Sequence, residues 1–237
     1  MSAPVEIFRI DQIDIAVEAH DWAYARDHEA AIAADWRALK AGNDKVFDGR
    51  VLLLHRHDLQ GGRFSGGCFE TSFSAFYHWR KRGFPDLSVR NFFAMAALRA
   101  EDGVFLLGEM GADTASAGQI YFPAGTPDPS DIDGGKTDLL GSVLRELEEE
   151  TGLSPADVDV RPGWDAIFCG GYLAFMREIR VPGRGAAAVA RIEDALARQK
   201  HPELARIHQV GQVEAAAGLK MPPFMLPYLK YAFSQPG

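Results

Sequence analysis

The chain has 237 residues, 47% of them hydrophobic and 24% charged, which suffices for one large domain or two small ones around a sizeable core. A formal net charge of −8 argues against non-specific binding to nucleic acid or to an anionic membrane, since both need a basic face. A small phosphorylated ligand stays admissible, because a bound divalent cation reverses the local sign.

The N-terminal stretch MSAPVEIFRIDQID has neither a basic segment nor an apolar one, so no secretory signal peptide is expected. The longest apolar run, Phe92 to Leu98, is too short to cross a bilayer, and a cytoplasmic protein is expected. Residues 5–17 alternate apolar and polar, predicting a strand. From 26 to 40 the composition favours a helix with Ile32, Trp36 and Leu39 on one face. Residues 41–45 stop that helix, and Phe47-Asp48-Gly49 makes a turn. Residues 50–59 and 63–73 predict two strands, and 74–82 a short helix ended by Gly83. GGRFSGG lacks the spacing of a phosphate-binding P-loop and predicts hairpin turns. His55 and His57 alternate around Arg56 without a third metal ligand. Cys68 and Cys169 make neither a disulfide framework nor a zinc cluster, and buried reduced thiols are expected.

Within residues 91–110 two apolar strands flank Glu101-Asp102-Gly103, a hairpin signal. Residues 118–127 predict a third strand, and 128–138 a loop that caps the next helix. That helix, about Asp138 to Thr151, is expected to bury Leu140, Val143, Leu144 and Leu147 and to stop at Gly152. Residues 166–181 predict a strand, and the C-terminal part is expected to be helical over 186–200 and 223–235.

The helix before Gly152 ends in RELEEETGL, residues 145–153, with four glutamates where the helix dipole is already negative. Each costs about 0.3–1 kcal/mol there, and Glu146 and Glu150 repel at i,i+4 spacing by a few tenths more. The spacing gathers Glu146, Glu149 and Glu150 into one patch opposite much of the Leu/Val stripe, with Glu148 outside it. Oxygen-only carboxylate clusters suit Mg²⁺ or Mn²⁺, which would offset both penalties. From charge alone, a solvated acidic face is the competing reading. Arg145 precedes Glu149 by four residues and can hold it.

In residue order, RELEEETGL resembles the core of the Nudix box, Arg-Glu-apolar-x-Glu-Glu-x-Gly-apolar, at every specified position. An aromatic strand, Pro123-Ala124-Gly125, a loop, the acidic helix and a further strand extend the resemblance over residues 90–180. It implies an α/β class, an α/β/α sandwich around a mixed sheet at residues 89–237. Residues 1–88 would be an additional N-terminal α+β module, separate or packed into the same domain. It further implies a divalent metal, Mg²⁺ or Mn²⁺, held by Glu146, Glu149 and Glu150. Glu146 and Glu149 would be catalytic, and Arg145 would orient a glutamate. The implied reaction is hydrolysis of a diphosphate bond in a nucleoside diphosphate derivative, with a homodimer among the family's usual assemblies.

The front of the box departs from the pattern. Asp131 and Thr137 stand where the family has a glycine and a glutamate, and Gly125 looks like the displaced glycine, ahead of Gly134 or Gly135. The general base would lie outside the box, with Glu178, Glu193 and Glu214 as candidates. Trp36, residues 43–54 and Tyr77-x-Trp79-Arg80 are similar to the leading region of Nudix UDP-sugar diphosphatases. That similarity favours a nucleotide sugar, with Arg80, Lys81, Arg82 and Gly125 as substrate contacts. The aromatic residues of this module, Trp22 and Trp36 among them, could stack a base, or simply form core. A Nudix-fold protein that binds a nucleotide without cleaving it is the competing function. RNA decapping fits poorly with an acidic chain lacking a basic stripe.

Overall fold

A strand that is apolar on both faces needs a core on each side. In the computed structural model, which describes residues 4–42, 46–112, 114 and 116–235, this requirement sets the layering. The chain begins with β1 (Val5–Ile10), β2 (Gln12–Val17), α1 (Ala23–Asp27) and α2 (Glu29–Gly42). β3 (Arg50–Gln60), β4 (Arg63–Ser72) and α3 (Phe73–Lys81) follow, then the long strand β5 (Asn91–Ala100), β6 (Phe105–Met110) and β7 (Ile120–Tyr121). A small hairpin, β8 (Ile132–Asp133) and β9 (Lys136–Thr137), leads into α4 (Leu139–Thr151). The rest is β10 (Asp159–Val160), β11 (Trp164–Cys169), β12 (Tyr172–Val181), α5 (Gly185–Leu196), β13 (Leu204–Val210) and α6 (Met225–Ser234).

Two mixed sheets result. The larger runs β1-β11-β12-β5-β6-β13, with β12 and β5 parallel and the other pairs antiparallel; the smaller runs β3-β4-β2-β9-β8, with β2 and β4 parallel. Along β5, Phe92, Ala94, Ala96 and Leu98 enter a core shared with α4, α5 and the smaller sheet. Met95 and Ala97 enter another, under α6. β3 divides in the same way: Leu52 and Leu54 join the shared core, while Val51 and Leu53 face a third core under α1–α3. The structure is therefore mixed α/β, the expected class, with helices packed on both sheets.

Several sequence expectations change at this level. The strand expected over 5–17 is two strands, one in each sheet, with the break at Asp11. There the Asp11 amide donates to Gly62 O at 2.7 Å. Strands from either side of residue 88 share both sheets. The single strand expected over 166–181 is the hairpin β11–β12, turned at Gly170, whose φ is +56°. β13 forms between the two expected C-terminal helices, in a stretch for which no strand was expected, and its partner β6 lies far away in sequence. In GGRFSGG the first glycine pair makes a turn, but Gly66 and Gly67 lie inside β4. Both cysteines are buried and unpaired, and burial pushes the Cys68 thiol up to about 12. Residues Asn43–Lys45, part of the expected helix stop and of the UDP-sugar-like turn, lie outside the described residues. No helix among those described is long and apolar enough to cross a membrane.

Candidate active site

α4 is fixed at both ends. Asp138 caps its start, accepting from the Gly141 amide at 2.9 Å. Gly152 ends it at φ +71°, where a Cβ would also press on Ala195 of α5. Leu139, Val143 and Leu147 carry the buried stripe, with Leu144 partly buried. Leu140, expected in the core, is 36% exposed, because the stripe begins one residue earlier.

That shift of phase changes the acidic patch. Glu146 lies seven residues after Leu139, and Glu150 seven after Val143, so both border the buried stripe instead of opposing it. Glu150 is 3% exposed, and its Oε2 has no hydrogen-bond partner. Burial, then the charges of Glu146 and Glu203, push its carboxyl up to about 9, although the Ala124 amide donates to it. Burial likewise raises the Glu146 carboxyl, against the pull of Arg145. Glu149 stands apart, its side chain 62% exposed.

Arg145 organises these acids. Its Nη2 donates to Asp131 Oδ1 at 2.8 Å and its Nη1 to Glu146 Oε1 at 2.7 Å, with Glu149 Oε2 at 3.7 Å. The buried Asp131 also accepts from the Asp128 amide at 3.0 Å, closing a capping box that stiffens the loop. Asp131, one of the two departures from the box, therefore braces the loop against the acidic helix. Thr137 supplies no carboxylate, and its Oγ1 is buried without a partner. Gly134 and Gly135, at φ +54° and +80°, make the β8–β9 turn. Asp131→Ala is expected to cost about 1–2 kcal/mol, by removing the capping box and one of the two close ion pairs of the part-exposed Arg145. Chemical denaturation checks this, and an unchanged midpoint would dismiss the bracing role.

Gly125 arrives from a gap in the larger sheet. β5 and β6 pair at Arg99 and Phe105 and then diverge, and β7 with Pro123 fills the opening, Ala96 N donating to Pro123 O at 3.0 Å. This sets Gly125 against Glu146, where a Cβ would overlap Oε1. Gly125→Ala should displace that carboxylate, at a stability cost of no more than about 1 kcal/mol because the end of a side chain yields, and should depress any turnover that depends on Glu146. A variant with wild-type melting and turnover would contradict the contact.

Ala124 and Gly125 also line a cavity of about 530 Å³. Phe93, Tyr121, Tyr172 and Phe224 give it aromatic walls. Among the described lining residues the only two charged ones, Arg80 and Lys220, are cations. The cavity is thus cationic and aromatic while its neighbours, Glu146 and Glu150, are acidic.

The structure brings together Arg145, Glu146, Glu150, Gly125 and Arg80, with Glu149 at the solvent side. Lys81 and Arg82, expected to contact phosphate, instead pair with Asp35, and neither lines the cavity. Together with His78 they hold the Asp35 carboxyl at about 2, Arg82 contributing most. Trp22 and Trp79 are core, so the aromatic wall comes from elsewhere. His55 contacts Glu18 at 3.1 Å, and His57 stacks on Phe64. Of the candidate bases, Glu178 is taken by Arg180, and neither Glu193 nor Glu214 lines the cavity. Glu203, which no local pattern flagged, couples electrostatically to both Glu146 and Glu150.

Oxygen-only donors and the unpartnered Glu150 Oε2 suit a hard divalent cation. Among the described residues no three acidic, His or Cys side chains are already gathered for one, since Glu149 points outward. Glu146 and Glu150 border the buried stripe, while the Glu149 side chain is 62% exposed.

No family model matches the chain, and no curated protein does. Among solved structures it is similar to RenU, a Nudix hydrolase from M. smegmatis, at 14% identity and TM-score 0.40, covering 60% of this chain and 84% of that one. It is also similar to a C. elegans Ap4A hydrolase, at 14% identity and TM-score 0.39 over 54% of this chain and 85% of the other. A MutT protein from Methanosarcina mazei Go1 gives 18% identity and TM-score 0.40, with 61% and 93% covered.

Proposed function

We propose that the chain is a Mg²⁺-dependent Nudix hydrolase that cleaves the diphosphate bond of a nucleoside diphosphate derivative, with a nucleotide sugar as the favoured substrate class. The observation that carries the reading is the cationic, aromatic cavity abutting Glu146 and Glu150 at Ala124–Gly125. The RELEEETGL order supports it independently.

Glu146, Glu149 and Glu150 would hold the cation, which when bound neutralises diphosphate charge and acidifies a water. Arg145 orients Glu146 and Glu149 and holds the α4 end to the Asp131 loop. Arg80 and Lys220 attract phosphate oxygens, and the aromatic walls exclude water from the nucleoside half. A water oxygen bonds to one phosphorus, the bridging P–O bond breaks, and a nucleoside monophosphate and a sugar phosphate leave. The proton acceptor would be an acid at this cluster; Glu203 joins the candidates because its charge acts on both Glu146 and Glu150.

The test is a panel of UDP-, GDP- and ADP-sugars, dinucleotides, CoA and nucleoside triphosphates with Mg²⁺, products identified by mass. A folded protein that turns over none of them would refute the reading. The outward Glu149 favours one competitor, a nucleotide-binding protein without hydrolytic activity. It requires tight nucleotide binding with no turnover on the same panel.

A further inference from the structure

Among the described residues Phe84 is the only one other than glycine with a positive φ, +62°. A bulky side chain stays in that region only where the surrounding structure holds it there. The strain belongs to a turn: Gly83, at φ +72°, and Phe84 reverse the chain after α3, with the Phe84 amide donating to Trp79 O at 3.1 Å. A second glycine would make the same turn without strain, so the turn itself does not call for phenylalanine. The reason for it lies in its ring.

That ring meets two others edge to face. Its centroid is 4.6 Å from that of Trp79 and 4.6 Å from that of Tyr172, at interplanar angles of 73° and 76°. Trp79 is fully buried in the core under α1–α3, and its indole N–H donates to Asp86 O at 2.9 Å, so it is a fixed support. Tyr172, by contrast, is only partly buried, follows the turn of the β11–β12 hairpin and lines the cavity. Pairing with Asn91 of β5 fixes its backbone, which leaves the orientation of the ring to its neighbours. Phe84 fills the space that a side chain at Gly171 would take, since a Cβ there would overlap its ring. Phe93 and Phe224, with centroids 6.3 Å and 5.5 Å from Tyr172, line the cavity beside it. Phe84 does not line the cavity, so it reaches the site only through Tyr172.

We propose that Phe84 is a positioning residue for the ligand of this cavity: braced on Trp79, it fixes the Tyr172 ring as a wall against which a flat ring, a nucleobase, stacks. The inference rests on the hydrolase reading for the ligand's being a nucleotide, but not on cleavage of its bond. A wall already in place loses no side-chain freedom on binding, so Phe84 contributes to affinity without touching the ligand. It also draws the N-terminal region into the substrate site, since Trp79 and Phe84 both precede residue 88.

Titration calorimetry on the full chain with uridine, guanosine, adenosine and cytidine 5′-monophosphates tests this. At least one nucleotide should bind the wild type. Phe84→Gly, which keeps the turn and deletes the ring, should weaken that nucleotide about fivefold or more, and Tyr172→Leu at least as much. Because Phe84 acts through Tyr172, the double variant should bind within about twofold of Tyr172→Leu alone. Phe84→Leu, which keeps apolar bulk against Trp79 but has no flat ring, should repeat the loss. It takes the place of Phe84→Gly if thermal melting shows that variant unfolded at the assay temperature. Where the substrate panel gives turnover, the Phe84 variant should raise KM and leave kcat within about twofold. Losses that multiply in the double variant, unchanged nucleotide affinity in a folded Phe84 variant, a fall in kcat at constant KM, or a wild type that binds no nucleotide would each overturn the inference. If the panel shows no hydrolysis while nucleotide binding follows this cycle, the proposed reaction fails and the inference stands.

Discussion

Glu150→Gln is expected to make the metal-free protein more stable while removing its response to Mg²⁺. The wild-type carboxyl is buried with one unpartnered oxygen, and its pKa rises to about 9 on folding. A carboxyl whose folded pKa lies above its unfolded value holds a proton in the native state that the unfolded chain has released. Stability therefore falls as pH rises from about 4.5 to about 9, by at most ~1.4 kcal/mol per unit. Glutamine cannot ionise, so the variant should be more stable by about 1–3 kcal/mol at pH 7 in chelator. That corresponds to a melting midpoint several degrees higher. The difference should shrink towards pH 4.5. Added Mg²⁺ should raise the wild-type midpoint and leave that of the variant in place. A variant that melts lower in chelator, or still responds to Mg²⁺, would exclude Glu150 as a buried ligand under strain.

Glu149→Gln should behave in the opposite way, leaving stability alone and removing turnover. Its side chain is 62% exposed and meets Arg145 only at 3.7 Å, an exposed pair worth little to the fold. If it turns inward to complete the site, kcat should drop by about 10²–10⁴-fold while nucleotide affinity stays within a few-fold. Steady-state kinetics with binding measured separately decides this. Turnover within a factor of ten of wild type would place Glu149 among the solvated acids with Glu148.

The sequence made the acidic helix legible because everything that defines it is local: Asp138 as cap, Gly152 as stop, and seven-residue spacing between. Its rotation was harder to read. Leu139 and Leu140 are adjacent and equally apolar, and only the packing of the two sheets chose Leu139 for the core. That choice moved Glu150 from an expected surface position into burial. The aromatic cavity was not legible, because Asn91 and Tyr172 meet through strand pairing, Tyr121 and Lys220 come from other segments, and the four have no common spacing. Arg80, Lys81 and Arg82 looked alike in sequence, and Asp35, which is 46 residues from Lys81 and 47 from Arg82, sorted them. Asp131 was half legible: Asp-Pro-Ser-Asp spells a capping box, but its ion pair with Arg145 depends on how the loop folds back.

The switch of the N-terminal strand between sheets at Asp11 bears on how the protein is made. β1 pairs with β11, placing Val5 opposite Cys169, so the first strand must wait for a partner synthesised on the order of 160 residues later. At ~5–20 residues per second, that wait lasts roughly 10–30 s on the ribosome. β2, by contrast, finds β4 within the first 72 residues. The smaller sheet can thus assemble early with β1 projecting from it as an open edge, until the emerging β11–β12 hairpin captures it. Synthesis is then a race between that capture and the pairing of the exposed edge with another nascent chain.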